Sequence, residues 1–174
     1  RAQYRSRGYM SSLLRKAMQE MYGKKEPFTF LMPAAEAIYT PYDFRFVYSQ
    51  RQAVFEKKAE TELIEEEDAT MFQAEELAAF AKERLFGTAR VYAVRDAPYS
   101  PTRVLEQQSE NGGIRMLKKD GKLVGIYCYA KEETCEVLEP LILPGYETVF
   151  WDSISGLSEK PVKVFPQNLK ISSL

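Results

Sequence analysis

The chain holds 174 residues, 45% of them hydrophobic and 28% charged, a globular composition that suits one full domain or two small ones and can bury roughly 70% of its unfolded surface. Its 24 basic and 25 acidic residues nearly cancel, which argues against a general nucleic-acid or membrane-surface binder. The absence of histidine rules out Ser-His-Asp and Cys-His machinery and histidine metal ligands within the chain.

The first predicted element is a helix from Gly8 to Tyr22. Its apolar residues Tyr9, Met10, Leu13, Leu14, Ala17, Met18, Met21 and Tyr22 form one stripe, with Arg15, Lys16, Gln19 and Glu20 on the wet side. Gly23 is read as its stop, and Lys24 and Lys25 suit the negative end of the dipole. Phe28–Met32 reads as a short buried strand closed by Pro33, Ala34–Tyr39 as a short helix ended by Pro41, and Arg45–Phe55 as another strand. The acidic run Glu60, Glu62, Glu65, Glu66, Glu67 and Asp68 then marks a new unit, and such runs are usually solvated linkers.

Thr70 and Gln73 form a capping box before a helix whose stripe is Ala74, Leu77, Ala78, Ala81 and Leu85, ended by Gly87. Arg90–Arg95 is strand-like, and Ser100-Pro101 opens a helix that ends near Gly112-Gly113. Ile114–Lys118 and Lys122–Ala130 flank Lys119-Asp120-Gly121, a hairpin signal, and Thr134–Leu138 is a further strand. Beyond Pro144 the pattern weakens.

The stretch Gln3-Tyr4-Arg5-Ser6-Arg7-Gly8-Tyr9-Met10 carries the chemistry. A helix start offers unpaired N–H groups and a partial positive charge, a glycine lets an anion approach the backbone, and arginines supply forked donors for phosphate oxygens. The first 25 residues contain seven basic side chains and one acidic, Glu20. Together these features describe a pyrophosphate cradle, although the same arginines and glycine also serve as a solvated turn. The two cysteines, Cys128 and Cys135, have no zinc-type spacing and are too few for a disulfide framework, so we expect a reduced, cytoplasmic protein without a metal. Cys128 is read as a small core residue rather than a nucleophile, and the Met10, Met18 and Met21 stripe as core filling. No apolar run reaches the ~18 residues of a membrane span, and no signal peptide opens the chain. The sequence begins at Arg1 without a methionine and reads as a piece of a longer protein.

Arg5-x-x-Gly8-x-Met10 resembles the Arg/Gln-x-x-Gly-x-Gly/Ala signature of the GCN5-related N-acetyltransferase (GNAT) superfamily, with Met10 in place of the last small residue. The stretch Ala37-Ile38-Tyr39-Thr40-Pro41-Tyr42-Asp43-Phe44 follows the superfamily's usual order, with Asp43 where a glycine is typical. Phe30–Tyr39 further resembles the enhanced intracellular survival group of bacterial acetyltransferases, which join two such domains in tandem and add a sterol-carrier-like domain. Val91–Asp96, Gly112–Ile114 and Asp120–Gly125 are similar to the second domain of that group.

The resemblance implies an α/β (α+β) fold with a mixed sheet flanked by helices. Residues 1–56 would be the back half of a catalytic domain, and 57–174 a second, noncatalytic domain that walls the cleft and supports assembly. Arg5, Ser6, Arg7, Gly8, Tyr9 and Met10 would bind the pyrophosphate of acetyl-coenzyme A, the cosubstrate. Tyr39 would protonate the departing thiolate, a role that suits a phenol with a pKa of about 10. The implied activity is acetyl transfer by direct attack of a small-molecule or peptide amine (aminoglycoside or lysine-type), in a homo-oligomer that binds neither nucleic acid nor membrane. The rival expectation is a noncatalytic coenzyme A-binding or assembly module of the same fold.

Overall fold

Gly8 sets the start of helix α1 (Tyr9–Gly23), because it takes the left-handed conformation (φ 77°) that glycine adopts at little cost. The helix ends differently from the expectation. Gly23 is still helical, and Lys25 takes the left-handed position (φ 60°). There Lys25 N–H donates to Tyr22 O and Glu26 N–H to Met21 O, both at 3.0 Å, the paired pattern that satisfies the last carbonyls. This computed structural model describes residues 4, 6–33, 35–47, 51–55, 64–86, 88–89 and 92–166. The chain divides into two compact units, Arg1–Val47 and Tyr48–Leu174.

In the first unit α1 is followed by α2 (Glu36–Tyr39) and a tight 3-10 turn, Thr40–Tyr42. Pro41 does not stop the chain here but sits in the first turn of this 3-10 segment, where a missing N–H costs nothing. Phe28–Met32 is not a strand: the described residues of the unit include no other strand, and an extended segment without a ladder partner cannot be one. None of the described residues of this unit is buried. Leu14, Met18 and Met21 on α1 are half-buried, whereas Tyr9, Met10, Leu13 and Tyr22 of the same stripe are exposed, as are Phe28, Phe30 and Met32. Met10, Met18 and Met21 therefore fill no core within the unit. Ala34 lies outside the described residues.

The second unit is a mixed α/β sandwich built on a six-stranded sheet of order β1-β6-β5-β4-β3-β2. The strands are β1 (Ala53–Phe55), β2 (Glu65–Asp68), β3 (Gly113–Lys119), β4 (Lys122–Lys131), β5 (Cys135–Ile142) and β6 (Val162–Val164). All neighbours are antiparallel except β5 and β6, which run parallel. Helices α3 (Ala74–Leu85) and α4 (Tyr99–Ser109) pack with the core of Leu77, Phe80, Ala81, Val104, Ile114, Met116, Ile126 and Cys128. Helix α5 (Glu147–Ser155) packs with a second core that includes Leu117, Tyr127, Tyr129, Val137, Phe150 and Ile154. Alternate residues of β4 thus feed opposite faces, and Val124–Ala130 is buried without a break, as a central strand covered on both sides requires.

Several local devices follow the sequence. Asp120 and Gly121 both take positive φ (51° and 71°), the twist a two-residue hairpin turn needs between β3 and β4. Thr70 and Gln73 form the reciprocal capping box before α3. The fold departs from expectation at the edges. Among the described residues of Arg45–Phe55 only Ala53–Phe55 is strand, and it pairs with β6; residues 48–50 lie outside the described residues. Tyr92–Arg95 forms no strand, and Arg90 and Val91 lie outside the described residues. Glu65–Asp68 is not a free linker but edge strand β2, because its carboxylates meet basic side chains across the ladder. Arg115 bonds Glu66 and Asp68, each at 2.9 Å, and Lys118 bonds Glu67 at 2.7 Å. Glu66 also accepts from Ser153 Oγ at 2.9 Å, and Ser153 shares a 2.6 Å bond with the Tyr127 hydroxyl. That chain ties the edge strand to α5 through the buried sheet.

Candidate functional site

The turn before α1 is the site the sequence singles out, and Ser6–Met10 are consecutive exposed residues there. Ser6 has φ 60° and Gly8 φ 77°, so the chain bends through two left-handed residues before entering the helix. No side chain caps the start of α1, and its first turn holds no acidic residue. Ser12 N–H makes the first intrahelical bond, to Gly8 O at 3.0 Å. The N–H groups of Tyr9, Met10 and Ser11 precede it and have no intrahelical acceptor, which leaves donors and partial positive charge at this end. A Cβ built on Gly8 meets no atom within 4 Å, so the approach to the backbone is open. Arg7 is exposed beside it, and Arg5 lies outside the described residues. These groups fit an anionic diphosphate: donors, charge and space coincide.

Tyr39 ends α2 and is half-buried, its ring edge-on to Phe44 at 5.9 Å. No hydrogen bond or ring contact between described residues joins it to Ser6–Met10. The turn behind it is held by Asp43, which takes the left-handed conformation (φ 64°) that a glycine would adopt. Asp tolerates that region better than most side chains, and Arg45 steadies it with bonds to Asp43 Oδ1 (3.3 Å) and Phe44 O (2.9 Å). Arg15 of α1 lies over the Tyr42 ring at 5.8 Å, which links the helix to the same turn. Glu36 opens α2 and stands in its first turn, where a carboxylate suits the positive end of the helix.

The second unit presents a contrasting helix start. At α5 the unit's own Glu147 accepts from Gly145 N–H at 2.8 Å and stands in the first turn, so the anion-accepting end already carries a carboxylate. Cys128 is 6% exposed, and burial, ahead of the nearby Glu139, pushes its thiol up to about 11. It therefore stays protonated at neutral pH and is a poor nucleophile. Among the described residues no cluster of three or more His, Cys, Asp or Glu could hold a metal ion, and no helix is long and apolar enough to cross a membrane.

Sequence reasoning missed one ionic cluster in the second unit. Glu139 bonds Arg95 and Arg103 at 3.3 Å each, and the Tyr99 hydroxyl donates to the same carboxylate at 3.1 Å. Burial and Glu139 together raise Tyr99 to about 12. Glu139 sits mid-strand at φ 55°, a conformation costing a non-glycine residue roughly 1–2 kcal/mol. No sequence signal marks such a position.

Residues 1–47, the extent of the first unit, match the acetyltransferase (GNAT) domain family. No curated protein matches the chain. Among solved structures the chain is similar to a GCN5-related N-acetyltransferase from Kribbella flavida, with 16% identity and a TM-score of 0.66 over 95% of this chain and 42% of that one. An acetyltransferase of the GNAT family from Streptococcus pneumoniae matches with 18% identity and a TM-score of 0.37 over 54% of this chain and 70% of that one. The chain thus spans less than half the length of the Kribbella protein, whose likeness shows that it has the GNAT fold, and its first 47 residues carry the sequence match to the acetyltransferase domain.

Proposed function

We propose that the protein takes part in acetyl transfer from acetyl-coenzyme A to an amine, with residues 1–47 supplying the pyrophosphate cradle of a larger acetyltransferase domain. The observation that carries this reading is the uncapped, glycine-opened start of α1 inside the segment matched by the acetyltransferase family. Tyr9, Met10 and Ser11 N–H groups, with Ser6, Arg7 and Arg5, would hold the diphosphate of the cosubstrate. The exposed Leu13, Phe28, Phe30 and Met32 support the half-domain reading, since a complete domain would cover such residues.

In the proposed reaction the acceptor amine attacks the thioester carbonyl directly, with no covalent enzyme intermediate. Positioning supplies much of the rate, and Tyr39 gives its proton to the departing thiolate. The acceptor is an aminoglycoside-like small molecule or a lysine-type peptide amine. The second unit is a noncatalytic scaffold, a reading supported by Glu147 at the start of α5, and the protein would assemble as a homo-oligomer.

The test is Gly8→Asp. An aspartate at this position carries the left-handed backbone cost of about 1 kcal/mol (φ 77°) and sets a carboxylate against the diphosphate, and Gly8→Ala carries the same backbone cost without the charge and is the control. Coenzyme A binding followed by calorimetry is expected to weaken at least about tenfold, the effect of a like charge at a desolvated anion site, while helix content holds. Unchanged binding in a folded Gly8→Asp protein would remove the cradle.

A further inference from the structure

A half-open cavity of about 30 Å³ lies between α3, α4 and the sheet, walled by Leu77, Ile114 and Ile126 and bounded at one corner by the Glu139 cluster. The corner is built from three separate pieces of chain. Tyr99 and Arg103 come from α4, and Glu139 comes from β5. Arg95 comes from the segment Tyr92–Pro98, which has neither helix nor strand. Along that segment Tyr92 and Val94 are exposed (38% and 73%), whereas the Arg95 side chain is only 9% exposed. Arg95 reaches inward to the Glu139 carboxylate at 3.3 Å and to Glu139 O at 3.4 Å.

Glu139 is aimed there by a bulge. Ile126 faces Leu141 and Cys128 faces Leu138, so Glu139 and Pro140 together stand opposite Tyr127. The left-handed backbone at Glu139 is strain that persists only where neighbouring contacts hold it. Arg103 and Tyr99 hold the carboxylate from the helix side, so the Arg95 bond can break without leaving a buried charge unpaired.

We propose that Tyr92–Pro98 is a strap fastened over this cavity by the Arg95–Glu139 pair, and that release of the pair opens the cavity while the rest of the unit stays folded. Local opening of this kind belongs to segments outside the sheet ladder, which lie at the low end of a protein's stability range. Cys128 reports on it, because its thiol lines the same cavity and is 6% exposed. Cys135, the other cysteine, does not line the cavity and can be removed as Cys135→Ala.

The experiment measures labelling of Cys128 by an uncharged maleimide in the Cys135→Ala protein, alone and with Arg95→Met, Glu139→Gln or Ile154→Val. The strap predicts that Arg95→Met and Glu139→Gln both speed labelling, by at least about tenfold for Arg95→Met, since each removes the charge-assisted bond that fastens the segment while Arg103 and Tyr99 stay in place. Electrostatics alone predicts opposite signs: losing Arg95 makes the thiol less ionised, and losing Glu139 makes it more so. Ile154→Val weakens the other face of the sheet and is expected to leave labelling unchanged. Deuterium uptake should rise across 92–98 in Arg95→Met while β3, β4 and β5 keep their protection. Labelling that is unchanged or slower in Arg95→Met overturns the strap, as do rates that merely follow global stability through all three variants.

Discussion

Gly112 is where the second unit has least room, and Gly112→Ala turns that into a number. A Cβ at this position would lie 1.8 Å from Tyr129 O, 2.7 Å from Tyr129 C and 2.8 Å from Ala130 Cα. All three are backbone atoms of the central strand, so no side chain can swing aside. Reaching ordinary contact requires a movement of roughly 1.5 Å. Two bonds hold the turn that follows α4: Gly112 N–H to Gln107 O at 2.8 Å within the turn, and Lys131 N–H of β4 to Glu110 O at 3.0 Å. Losing both costs about 2 kcal/mol, and forcing extra volume into a packed site adds about 1–3 kcal/mol. The expected loss is therefore about 3–5 kcal/mol. Urea unfolding followed by the fluorescence of Trp151, the single tryptophan, measures it. Trp151 stacks on Phe55 at 5.3 Å and touches Phe150, so its emission reports this unit. Gly121→Ala is the control: at φ 71° with nothing within 4 Å, it carries only the backbone cost of about 1 kcal/mol. If Gly112→Ala loses no more than Gly121→Ala, close approach of the chain is not what the glycine provides.

Two further outcomes are expected. Tyr39→Phe keeps the ring against Phe44 but removes the acid, so turnover by the parent acetyltransferase should fall about 10²–10⁴-fold with coenzyme A affinity preserved; steady-state kinetics beside binding titrations would exclude Tyr39 if turnover held. The Cys128 thiol is raised from 9.0 to about 11 in the fold, so the folded state holds its proton more tightly than the unfolded chain does. Its contribution is complete below pH 9 and is lost as pH rises toward 11, by about 3 kcal/mol. Cys128→Ala should flatten that part of the alkaline stability curve under reducing conditions, and an equally steep curve would show that the thiol is not responsible.

Elements with their own local signal were legible in the sequence. The helix at α1, the Thr70–Gln73 box and the Asp120-Gly121 turn each depend on residues within a few positions of one another and each forms, although the apolar stripe of α1 buries no residue. What failed depended on partners distant in the chain. Glu65–Asp68 reads as solvated until Arg115 and Lys118 arrive from β3 to neutralise it. Phe28–Met32 has strand-forming residues but no ladder to join. Helix α5 and strand β6, beyond Pro144, escaped notice because α5 is covered by the sheet over Val149, Phe150, Ser153 and Ile154, a stripe that includes a serine. At the candidate site the glycine and its flanking charges were visible in the sequence. The left-handed turn at Ser6 was not, because serine carries no preference for that conformation, and at Asp43 an aspartate signals it far more weakly than the glycine it replaces.

Strand β2 carries a consequence for how this molecule meets its neighbours. It is the outermost strand on one side, and all four of its residues are acidic. A foreign strand seeking to extend the sheet would have to lie along four consecutive acidic residues, of which Glu66, Glu67 and Asp68 are ion-paired inward to β3 and Glu65 is exposed. The acidic flank therefore resists edge-to-edge pairing with other strands.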